Sequence, residues 1–137
     1  MRFPDLSRAV RLAWILTGLM WFVWLGVEDR GVVLVLLLGT SISVSASITG
    51  LERWGKGRIL SGRLWWTSWL GFGISGAIGM GPLALLLISV KVSLHSHELP
   101  DFNLSHVLQV IDVWPVWGLG MLIVALGLGV LARAQIE

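Results

Sequence analysis

Apolar positions in this chain fall into four long blocks, and the polar positions gather at the joints between them. The longest block, Leu64 to Val90, runs twenty-seven residues without a charged side chain. As a helix it would extend roughly 40 Å, at about 1.5 Å per residue, against a bilayer hydrocarbon core of about 30 Å. The other blocks have the same character, which predicts spans over residues 10–27, 31–50, 64–91 and 113–132. Glu28-Asp29-Arg30 leaves room only for a tight reversal, so the first two spans form an antiparallel hairpin. The expected fold class is all-α. It is an integral membrane four-helix bundle of two antiparallel transmembrane hairpins, a single membrane domain over residues 1–137.

Two joints carry their own patterns. Leu51 to Arg63 reads as a basic, glycine-containing loop, with Arg53, Lys56, Arg58 and Arg63 against Glu52 alone. Lys91 to Asp112 is the long polar connection. Within it Leu104, Val107, Leu108 and Ile111 repeat at helical spacing opposite Ser105, His106 and Gln109. That predicts a short amphipathic helix over 103–111, capped by Asn103, on the membrane surface or the bundle ends. Pro115 then falls in the first turn of the last span, where a missing N–H is tolerated.

Small residues mark where helices approach one another. In span two Gly39, Ser43 and Ser47 share a ridge. In span three Gly71, Ser75 and Gly79 form one helix-packing ridge, and Gly73, Ala77 and Gly81 form another. Span three is therefore smooth on two sides and is expected to be the packing centre. Gly71-Phe72-Gly73-Ile74-Ser75-Gly76 matches the G-x-G-x-x-G string but sits inside an apolar run, without the strand and helix start that a dinucleotide site requires. Pro82 removes a donor and displaces the carbonyl of Ile78, which predicts a kink and an acceptor for span two's hydroxyls to satisfy.

Composition agrees with the pattern. At 55% hydrophobic and 13% charged side chains, the chain is too apolar for an ordinary soluble domain. The formal charge of +2 is spread beside apolar runs, which argues for topology and against a nucleic-acid partner. Arg2, Arg8, Arg11, Arg53, Lys56, Arg58, Arg63 and Arg133, eight of the ten basic residues, share one side. Both termini are thus expected in the cytoplasm, in the plasma (inner) membrane, with an uncleaved first span. The absence of cysteine excludes disulfides and thiolate metal sites.

Candidate chemistry is sparse. The expected span interiors hold no Asp, Glu, His or Lys, which disfavours a proton-coupled carrier and an intramembrane hydrolase, so no enzyme and no catalytic residue is expected. His95-Ser96-His97-Glu98, with Asp101 and His106 nearby, is the one cluster with metal-ligand chemistry. Residues two apart in an extended segment point the same way, so His95 and His97 can share an ion, completed by His106, Glu98 or Asp101. An axial imidazole for haem is the related option. No cofactor is required by any spacing.

Three functions follow, in this order. The first is a non-catalytic accessory or assembly subunit of a larger membrane complex, with lipid and other subunits, or further copies of itself, as partners. The second is a homo-oligomeric channel or uniporter for a small solute, its path running past Ser43 and Ser47 to Pro82. The third is a metal- or haem-binding membrane protein using the loop histidines.

Overall fold

A computed structural model describes residues 3–26, 31–94 and 103–134, and it is all-helical there. Four helices follow in order: α1 (Ser7–Gly26), α2 (Val32–Gly55), α3 (Gly62–Leu94) and α4 (Leu104–Ala134). Each is long and apolar enough to cross a membrane. With 33 residues in α3 and 31 in α4, these two reach roughly 45–50 Å, so tilt or overhang absorbs what exceeds the hydrocarbon core.

The helix ends have local causes. Asp5 accepts the Ser7 N–H at 2.9 Å just ahead of α1. That bond, with the Ser7 hydroxyl, holds the Asp5 carboxyl below its ordinary pKa. Asn103 caps α4: its Oδ1 accepts the N–H groups of Ser105 at 3.1 Å and His106 at 3.4 Å. His106 reciprocates, its Nδ1 accepting the Asn103 N–H at 3.1 Å.

Two joints differ from the sequence expectation. The helix of span two does not stop at Gly50 but continues through Leu51 and Trp54 to Gly55. Leu51 is buried, and packing outweighs the propensity cost of one glycine. The chain reverses only at Gly57, whose φ of +74° is a conformation glycine adopts without strain. Likewise residues 104–111 do not form a helix of their own; they are the first turns of α4 and run on through Pro115. A proline interrupts one hydrogen bond without ending a helix when the flanking residues stay apolar and packed. Pro82 similarly lies inside an unbroken α3.

Successive helices are antiparallel, and their contacts fix the order across the molecule. α1 meets α2 through Trp14 with Thr49 at 3.0 Å and Thr17 with Ser45 at 2.9 Å. α2 meets α3 at Gly39, where an added Cβ would lie 2.9 Å from the Met80 carbonyl. α3 meets α4 at Gly73 with Ala125, Gly76 with Met121 and Gly129 with Trp69. α2 and α4 touch slightly, while the α1 backbone approaches neither α3 nor α4 among the described residues. The bundle is therefore an open, curved layer in chain order. α3 makes its two largest interfaces, and α1 hangs on its edge.

Two apolar clusters fill the layer. One, at the α1–α2 turn end, joins Trp24, Val35, Leu38, Ala84, Leu87 and Val110. The other, at the basic end, joins Phe3, Leu51, Leu60, Trp65, Phe72 and Ala125. Phe3 is tied there by its N–H to the Arg58 carbonyl at 3.0 Å, its ring lying against Gly55.

Candidate functional site

The two small ridges of α3 serve two different neighbours. Gly73, Ala77 and Gly81 face α4: a Cβ on Gly73 would come within 2.8 Å of Ala125, Gly118 sits on Ala77, and Gly81 lies beneath the Trp114 ring. Trp114 Nε1 also donates to the Ala77 carbonyl at 2.7 Å. The other ridge faces α2. Gly79 is covered by Ser43, and Ser75 Oγ donates to Ser47 Oγ at 2.9 Å. Gly71, the last member of that ridge, touches no neighbour; a Cβ there would meet nothing within 4 Å.

The hydroxyls of α2 are largely committed to these contacts. Ser43 is 3% exposed and donates to the Gly76 carbonyl at 2.9 Å. Ser45 bonds Thr17. Thr40 and Thr49 donate back to Leu36 and Ser45 of their own helix. Pro82 itself is exposed on α3. Ser43 instead satisfies a carbonyl two residues before Ile78, the acceptor that sequence reasoning singled out.

What sequence reasoning missed is a groove. Past Ser47 and Ser75 the seam between α2 and α3 opens into a cleft of about 570 Å³, on the side of α3 turned away from α4. Its walls are Ala46, Ser47, Gly50, Leu51 and Trp54 from α2, and Thr67, Ser68, Gly71, Phe72 and Ser75 from α3. The wall hydroxyls have partners within the chain: Thr67 and Ser68 donate to the Leu64 carbonyl, and Ser75 bonds Ser47 or the Phe72 carbonyl. The Arg58 guanidinium lies 4.8 Å from the centre of the ring of Trp54, the wall residue at the basic end of the cleft. One signal pointed toward it. Gly50 and Gly71 lie inside α2 and α3 at positions where a Cβ would meet nothing within 4 Å.

Of the proposed metal ligands, His95, His97, Glu98 and Asp101 lie outside the described residues. His106 is the N3 residue of the α4 cap, and its Nδ1 is occupied by the Asn103 N–H. Among the described residues no three His, Asp or Glu side chains converge on a common point.

Lys91 is the ionisable group whose burial differs most from expectation. Expected at the very end of span three, it lies in the last turn of α3, 2% exposed, with its side-chain nitrogen 5.2 Å from the Trp24 ring centre. No family model matches the chain, nor does any curated protein or solved structure.

Proposed function

We propose that this chain is a non-catalytic accessory or assembly subunit of a larger membrane complex, seated in the plasma membrane with both termini cytoplasmic. The observation that carries the proposal is the openness of the layer. Among the described residues the α1 backbone approaches only α2, and Leu12, Ile15, Leu16, Leu19 and Phe22 are exposed. On α4, Gly120 and Gly127 lie exposed, seven apart, on a surface where an added Cβ would meet nothing of this chain. Lipid covers apolar side chains equally well, while a flat glycine surface on an outward face also suits another helix. Glycine lets two backbones approach closely. The topology rests on charge. Arg8, Arg11, Arg53, Lys56, Arg58, Arg63 and Arg133 all fall at the end of the layer that holds the α2–α3 connection.

The test is extraction in a mild detergent from the native membrane. The chain is expected to leave with larger membrane proteins, and Gly120→Leu with Gly127→Leu is expected to release it from them. A solitary, stable monomer from the wild-type membrane would contradict the proposal.

A further inference from the structure

We infer that the groove between α2 and α3 is a binding site for one anionic phospholipid, an acyl chain lying along the cleft and the phosphate against Arg58 at its basic end. Depth is the first observation. From Ala46 to Trp54 the α2 wall is nine residues long, about 12 Å at helical rise, close to the roughly 15 Å of one leaflet's hydrocarbon. The volume, about 570 Å³, lies within the usual range for sites that take a small molecule. The lining is mostly apolar, and the hydroxyls of Thr67, Ser68 and Ser75 already donate within the chain. An alkyl chain there would leave none of those protons unbonded.

Charge complementarity chooses the headgroup. Arg58 stacks on Trp54, a wall residue; Arg53 is its chain neighbour, and Arg63 lies one helical turn before the wall residue Thr67. Glu52 is the one carboxylate in this stretch, and it pairs with Lys56 at 3.5 Å. A basic pocket between helices at the positively charged membrane face suits a phosphate. A transmembrane helix from another protein could fill the cleft sterically, but it would bring no charge to match the basic end. The shape is also not a by-product of internal packing, since Gly50 and Gly71 could both carry a Cβ without touching this chain.

The site stands apart from the subunit-docking faces on α1 and α4, so it can fail without them. The test is native mass spectrometry of the full chain released from nanodiscs made of equal parts dioleoyl phosphatidylglycerol and dioleoyl phosphatidylcholine. Wild type is expected to retain one phosphatidylglycerol in preference to phosphatidylcholine, by about fivefold for a single cationic contact and more if Arg53 or Arg63 joins. Arg58→Gln is expected to remove most of that preference while still retaining lipid. Gly71→Leu, which fills the cleft from a position with free space, is expected to lose both lipids, with its helical content kept and its unfolding midpoint no lower than wild type. Gly50→Leu fills the cleft from the opposite wall and guards against a folding defect in the first variant. Equal retention of the two lipids by wild type would overturn the inference. So would undiminished retention in both leucine variants, including the case where they disrupt a protein–protein contact instead.

Discussion

The Lys91 ammonium sits 5.2 Å from the centre of the Trp24 ring, linking the far end of α3 to that of α1 across α2. Both side chains are almost fully buried, at 2% exposure. The pair fastens the edge helix, whose backbone otherwise approaches α2 alone. A desolvated cation over an indole face contributes about 1–2 kcal/mol. Trp24→Leu and Lys91→Met should therefore each destabilise the fold, and together by less than their sum, with a coupling of about 1 kcal/mol in equilibrium unfolding in detergent. Strict additivity would show that the two do not interact.

The glycines of α2 and α3 should separate sharply when each is changed to alanine. At Gly39 the new Cβ would meet backbone atoms, 2.9 Å from the Met80 carbonyl and 3.0 Å from the Ala84 nitrogen, which cannot turn aside. Gly39→Ala should cost about 1–3 kcal/mol through overpacking. Gly71→Ala meets nothing and should gain up to about 1 kcal/mol from helix propensity. Thermal midpoints of the two variants in one detergent would check the contrast.

Ser43 and Ser47 divide the structural use of the α2 hydroxyls from a solute path. Ser43→Ala removes the bond to the Gly76 carbonyl and should cost about 1 kcal/mol. Ser47→Ala removes the acceptor for Ser75, which keeps the Phe72 carbonyl, and should cost less. Liposomes containing this protein alone should stay tight to small neutral solutes. A flux that Ser43→Leu and Ser47→Leu abolish would restore the channel.

At the start of α4, Asn103→Ala should cost about 1 kcal/mol, the usual value of an N-cap. Faster amide exchange at Ser105 and His106 would report it. A metal at His106 Nδ1 would have to displace the Asn103 N–H from that atom. Added zinc should therefore leave the exchange at Asn103 unchanged, and faster exchange there would favour a metal site.

Much of this architecture is written in the chain. The uncharged run from Leu64 to Val90 can be little but a span, and the spacing of Gly73, Ala77 and Gly81 announces a close neighbour. Which neighbour is another matter: the ridge meets α4, while Ser75 and Gly79 meet α2, and nothing local distinguishes the two. The openness of the layer was not legible either. An exposed leucine such as Leu16 and a buried one such as Leu38 look alike when the solvent is hydrocarbon. Lys91 was expected at the junction of span three and the polar connection because charge usually ends a span, and its burial against the Trp24 ring emerges from the fold. The groove arises where α2 and α3 part beyond Ser47 and Ser75, a property of two helices together.

The central claim is that the four helices cross a bilayer with the α2–α3 connection on one side and the start of α4 on the other. The chain has no cysteine, so single-cysteine variants at Lys56 and Asn103 can be labelled without background. In sealed vesicles of known orientation, a membrane-impermeant maleimide should reach Lys56→Cys only from the cytoplasmic side and Asn103→Cys only from the opposite side. Labelling of both variants from the same side would contradict it.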